Sequence, residues 1–130
     1  MDQPISTMME KHVKVVDMEA TISEVAAVLY STKLSCVPVA DSSGRDFGII
    51  CAPDIVHFDV EKRNPNAVRA WEVCTYRVIE VSPEIHTREV ARLMIEHKVH
   101  HVVVVSDNRT IYGIVSALDF VKRFLEETPA

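Results

Sequence analysis

Two short stretches of this sequence set an acid three residues after a side chain that closes an apolar run. They are Ser116-Ala117-Leu118-Asp119 in "GIVSALD" and Cys51-Ala52-Pro53-Asp54 in "GIICAPD". A helix that begins where a strand ends offers unpaired N–H groups and a positive dipole end, which suits a phosphate. A carboxylate one turn further in can accept both hydroxyls of a ribose. Gly113 and Gly48, three residues before Ser116 and Cys51, leave room for a ligand over the strand. Chemically, such a junction can hold a ribose-phosphate. The same residues also satisfy a plain helix cap, with Ser116 Oγ accepting an N–H of the first turn and Asp119 near the positive helix end. Cysteine is a weak acceptor, yet Asp54 is still present in the first copy.

Other reactive side chains carry less. His97, His100 and His101 invite a zinc reading. A helix should end near Lys98, however, and an alternating strand from His100 would send His100 and His101 to opposite sides. No carboxylate or thiol is placed by sequence to complete a ligand set, so no metal site is expected. Surface histidines remain, or one that faces a phosphate. His12, His57 and His86 are isolated. Cys36, Cys51 and Cys74 cannot all pair and form no C-x-x-C. They read as reduced thiols of a cytoplasmic protein. No G-x-S-x-G, H-E-x-x-H or Walker loop is present, and no base neighbours Cys51, so no catalytic residue is expected. Trp71 and Tyr76 suit packing, with Tyr76 close enough to the junction chemistry to keep in view. Lys122 and Arg123 are expected to face solvent.

The elements that position these residues come from a duplication. Gly48 and Gly113 are 65 residues apart (113 − 48), and sliding the chain by 65 aligns 14 of the 44 positions from 13 to 56 with no gap. "HVKVVD" and "YRVIEV" read as strands. Thr21-x-x-Glu24 opens a helix with Ile22, Val25, Ala26 and Leu29 on one face, repeated by Val90, Ala91 and Met94. "CVPVA" and "HVVVV" are strands, followed by the turns "DSSGRD" and "SDNRT", the strands "FGII" and "IYGIV", and closing helices near Ala52 and Ala117. The fold class is therefore α/β of the α+β type, β-α-β-β-α twice. The boundaries are residues 4–62, a linker over 63–69 broken by Pro65, and residues 70–126. One such unit has little core of its own, so the two are expected to pack sheet to sheet about a pseudo-two-fold as one body.

The 130 residues carry 48% hydrophobic residues and a formal charge of −5, which supports a packed core and argues against a nucleic-acid duplex as partner. "MDQPISTMMEKH" has no apolar segment of a signal peptide, and no run approaches the ~20 apolar residues of a membrane span.

The duplication, the "VPV" of residues 37–39, the run "SPEIHTREVARLMIEHKVHHVVVV" and Gly113-Ile114-Val115-Ser116-Ala117-Leu118-Asp119 together resemble a tandem pair of CBS (cystathionine β-synthase) domains, a Bateman module. The resemblance covers nearly all of residues 4–124. It implies a regulatory module that binds an adenosine-containing ligand in clefts between the repeats: AMP, ADP or ATP, with S-adenosylmethionine or NAD as alternatives. It maps ribose binding to Asp119 and Asp54, and phosphate or ribose contact to Ser116. It places an apolar adenine slot at residues 75–78 (Thr75, Tyr76, Val78) with His101 and Val102. The weaker first-repeat counterpart is Val13, Cys36 and Val37 with Cys51. It also implies pairing into a homodimer, and output through a separate effector protein. The chain departs from the pattern at Cys51, where Ser or Thr is expected, at Pro53, and at Val103 opposite Pro38. The rival readings are a structural or dimerisation module with vestigial pockets and, with least support, a small metal-dependent or thiol enzyme.

Overall fold

The structure is a computed structural model and describes residues 2–11, 13–76 and 79–127. After a 3-10 turn over Ile5–Thr7 come β1 (Val16–Asp17), α1 (Ile22–Thr32), β2 (Cys36–Ala40), β3 (Asp46–Cys51), α2 (Ala52–Glu61), α3 (Ala70–Val73), β4 (Glu80–Val81), α4 (Thr87–His97), β5 (His101–Val105), β6 (Ile111–Ser116) and α5 (Ala117–Glu127). The expected β-α-β-β-α order appears twice, with α3 and the 3-10 turn in addition.

Local chemistry sets the helix starts. Thr21 Oγ1 accepts the Glu24 N–H and Glu24 Oε1 accepts the Thr21 N–H, both at 3.2 Å, so the predicted capping box forms. His86 holds the equivalent position before α4 without a side-chain cap. Asp2 supplies it from the other end of the chain, its Oδ1 accepting the Arg88 N–H at 3.0 Å and the Thr87 hydroxyl at 3.2 Å. That N–H holds the Asp2 carboxyl below its ordinary range. Lys33 and Lys98, 65 apart, both end their helices in the left-handed region, at φ 59° and 55°.

Each repeat builds a three-stranded sheet, β1-β2-β3 and β4-β5-β6. The first pair is parallel and the second antiparallel, with Val39 opposite Gly48 and Val104 opposite Gly113. Both sheets carry the same irregularity, at Val39/Ala40 and at Val104/Val105. The first strands are shorter than "HVKVVD" and "YRVIEV" predict, and His12, Arg77 and Val78 lie outside the described residues. Among the described residues, Val16 and Asp17 pair with Val39 and Ala40, Glu80 and Val81 pair with Val103 and Val104, and Ile79 O accepts the Val103 N–H at 2.9 Å.

A crossing of the chain joins the halves. Ile5 N–H donates to Ile85 O at 2.7 Å, Glu10 N–H to Ile114 O at 3.0 Å, and Ile5 is buried in the second repeat's core with Val90, Val102 and Val115. In return, Ala70 N–H donates to Ala20 O at 2.7 Å, Thr75 pairs with Ile49 in both directions at 2.9 and 3.1 Å, and Ala70 and Cys74 enter the first core with Val25, Val37 and Ile50. A smaller cluster of Cys36, Ile49 and Ile114, with Val13 against it, sits where the two sheets meet. The linker is held too: Ser23 N–H donates to Pro65 O at 3.0 Å.

Candidate functional site

β6 runs directly into α5, and β3 into α2, as the spacing predicts. The bond that closes each junction comes from the acid. Ser116 N–H donates to Asp119 Oδ2 at 2.8 Å, and Cys51 N–H donates to Asp54 Oδ2 at 2.8 Å. Each aspartate thus holds its own strand end with one oxygen of a half-buried carboxylate. Pro53 lies in the first turn of α2, where its missing N–H breaks no helical bond, so it does not disturb the junction.

Asp119 borders a concavity of about 390 Å³. One wall is α5, with Lys122 and Arg123, and the other is the crossing segment of the first repeat, Thr7 to Glu10. Lys122 and Arg123 were expected only to face solvent. Lys122 is exposed as expected while lining this wall, and the Arg123 side chain is instead just 17% exposed and paired with Glu127 at 3.0 Å.

The room over the strand is filled by chain. A Cβ on Gly113 would stand 2.6 Å from Glu10 O and 3.0 Å from Met9 Sδ, and one on Gly48 would stand 2.6 Å from Thr75 O. These glycines admit the crossing backbone, and the expectation of ligand space directly over them is corrected.

The reduced-thiol reading is also corrected. Cys36 and Cys51 form a disulfide. Cys36 opens β2 and Cys51 closes the antiparallel β3, and the two stand opposite each other in register, so their side chains share one face. Cys74 is free and buried, its thiol pushed up to about 11 by burial. Cys51 Sγ therefore takes the place of a hydroxyl without being able to donate a hydrogen bond.

The other candidates divide. Thr75 and Tyr76, grouped by sequence with Asp119, lie against the first repeat: Thr75 pairs with Ile49, the Tyr76 ring meets Phe47 edge-on at 5.2 Å, and Tyr76 Oη donates to Trp71 O. The crossing exchanges partners, so residues 7–10 face Asp119 instead. Val78 lies outside the described residues. Val37 and Val102 are fully buried in the two cores, so only their backbones can meet a ligand. Val13 packs on the central cluster. His101 opens β5 with Nδ1 at 3.4 Å from Cys36 Sγ. Burial, and then the neighbouring His100, hold its pKa below the ordinary histidine value, while Asp119 pulls it back up. His100 stays exposed.

One cluster had no sequence signal. Asp46 opens β3 as a buried acid, and its Oδ1 has no hydrogen-bond partner. Burial, then the Glu80 carboxyl of the second repeat, push it up to about 8. Arg109 binds Glu80 Oε2 and Asp46 O, both at 2.8 Å, and holds Glu80 below its ordinary range. It does so at φ 68°, the position where the first repeat has Gly44 at φ 82°. An aspartate at a strand start carries no motif, and its burial depends on the facing repeat.

Two exchanged α/β repeats, each with an acid-capped strand-to-helix junction, define a class of paired modules. The family model described as CBS domain matches residues 5–61 and 70–126, and the chain belongs to that family. An inosine-5'-monophosphate dehydrogenase of Halobacterium salinarum is 32% identical over 81% of this chain, which spans 20% of that relative's length. The CBS domain pair of protein MJ0100, solved with 5-methylthioadenosine and S-adenosyl-L-methionine, superposes with a TM-score of 0.85 at 25% identity, covering 95% of this chain and 97% of that one. CBSX2 in complex with AMP gives 0.83 at 19% identity, covering 95% and 97%. Among the described residues no helix is long and apolar enough to cross a membrane.

Proposed function

We propose that this chain is a ligand-sensing module that binds an adenosine-containing ligand beside Asp119 and transmits its occupancy to a separate partner protein. The observation that carries the reading is the half-buried Asp119 carboxylate, fixed by Ser116 N–H, in a concavity that also holds Lys122 and Arg123. The Asp119 carboxylate suits ribose hydroxyls and Lys122 suits a phosphate, while Arg123 is held by Glu127. The CBS pairs solved with AMP and with S-adenosylmethionine support an adenosine ligand. Glu10 and Glu126 share the rim. Neutral methylthioadenosine and cationic S-adenosylmethionine therefore belong in the test beside AMP, ADP, ATP and NAD. The disulfide at Cys51 makes the Asp54 junction the weaker site.

Thermal and urea melts with this panel test the reading. A bound ligand at a hundredfold its Kd adds about 2.7 kcal/mol of stability. Asp119→Asn keeps an oxygen for Ser116 N–H and is expected to lose that gain while folding normally. A chain that no adenosine compound stabilises is a structural module instead.

Helices α2 and α5 favour a homodimer as the sensing unit. Val56 and Val60 are 66% and 73% exposed, and Leu118, Phe124 and Leu125 are 72%, 65% and 67% exposed. Apolar faces of this kind mark association surfaces. Sedimentation should find a dimer that Leu118→Glu with Phe124→Glu converts to a folded monomer; a wild type that sediments as a monomer at high concentration removes the dimer.

A further inference from the structure

We propose that Cys36, Cys51 and His101 form a redox-gated site for a thiophilic divalent cation such as Zn²⁺, closed while the Cys36–Cys51 disulfide stands and opened when it is reduced. The ligand atoms of the three residues all lie within 4.8 Å of one another. Tetrahedral zinc, with bonds of roughly 2.3 Å to sulfur and 2.0 Å to nitrogen, needs neighbouring ligand atoms about 3.5 Å apart. His101 Nδ1 already stands 3.4 Å from Cys36 Sγ. Once the S–S bond is broken, van der Waals repulsion alone moves the two sulfurs apart to a separation of about that size.

The frame is rigid. The 65-residue offset puts His101 where the first repeat has Cys36, and Ser116 where it has Cys51. The donors therefore converge on the pseudo-two-fold from the starts of β2 and β5 and the end of β3. Strand register holds all three: Cys36 opposite Cys51, and His101 opposite Ser116. Ile49, Ile114 and Val13 surround the thiols with apolar side chains. Three protein ligands leave a fourth position for water or a bound ligand.

The chemistry balances. A dithiol reductant attacks the disulfide, gives up two electrons and two protons, and leaves as its own cyclic disulfide, freeing two thiols. The cation then binds both sulfurs and Nδ1 and releases the two thiol protons. A disulfide oxidant reverses the sequence and expels the metal.

The full chain, reduced with a dithiol and desalted without oxygen, should bind one Zn²⁺. Titrated with Co²⁺ it should show a thiolate-to-metal charge-transfer band and the visible bands of a tetrahedral ion. The oxidised chain should show neither. Cys51→Ser and His101→Asn should each weaken binding at least about tenfold, and Cys74→Ser should leave it unchanged. A reduced chain without stoichiometric metal, a cobalt spectrum without the thiolate band, or equal binding by the oxidised chain overturns the proposal. If Cys51→Ser does not fold, the wild-type cobalt spectrum and His101→Asn decide. No nucleotide enters the measurement, so its outcome is independent of the adenosine reading.

Discussion

Gly113→Ala is expected to destabilise the chain by about 3 kcal/mol, a large loss for one methyl group. The added carbon would sit 2.6 Å from the Glu10 carbonyl oxygen. That oxygen belongs to backbone held by the Glu10 N–H bond to Ile114 O, so no rotamer change can relieve the clash. The crossing segment has to lift, and Ile5 with it. Gly44→Ala is the contrasting case: nothing lies within 4 Å of its new carbon, and the change carries only the strain of φ 82°, roughly 1–2 kcal/mol. Urea midpoints for the two variants measure the difference. If Gly44→Ala proves the more damaging, the crossing segment is not held as described.

The second large effect is a pH dependence of stability set by Asp46. Its folded pKa is raised to about 8, against about 3.9 for an unfolded aspartate. The folded chain therefore binds the extra proton. Asp46's contribution to stability is fully present below about pH 4 and is lost as pH rises to about 8, at up to about 1.4 kcal/mol per pH unit. His101 acts the other way. Its lowered pKa makes stability rise with pH up to about 6.5, the unfolded value. Denaturant melts between pH 5 and 8.5 on wild type and Asp46→Asn separate the two, because only the difference between the curves belongs to Asp46. The variant should gain on the wild type steadily up to pH 8, its amide donating to Glu80 without ionising. Parallel curves would falsify the buried, protonated Asp46.

Much of this architecture is legible in the residues because duplication writes each signal twice. The 65-residue offset carries the element order, both junctions and the paired helix ends at Lys33 and Lys98. Thr21 and Glu24 announce α1 by chemistry local to four residues. What stays hidden depends on distant parts of the chain. Gly48 and Gly113 signal a close approach, but not that the approaching atoms are Thr75 and Glu10. For the same reason the sequence does not show that Thr75 and Tyr76, grouped with Asp119 by the resemblance, pack against Ile49 and Phe47 of the first repeat. The Cys36–Cys51 bond was readable in principle: once Val39 is opposite Gly48 across the turn, Cys36 must stand opposite Cys51. No residue type or spacing marks Asp46, whose burial is decided by Glu80 and Arg109.

The exchange of end segments has a consequence for a single repeat. A solitary copy would lack Ile5's counterpart in its interior and would expose the slot that Glu10 or Thr75 fills. Each repeat therefore needs the other to complete its interior. A cut within residues 63–69 would leave two fragments that find each other again in solution, each completing the other's interior.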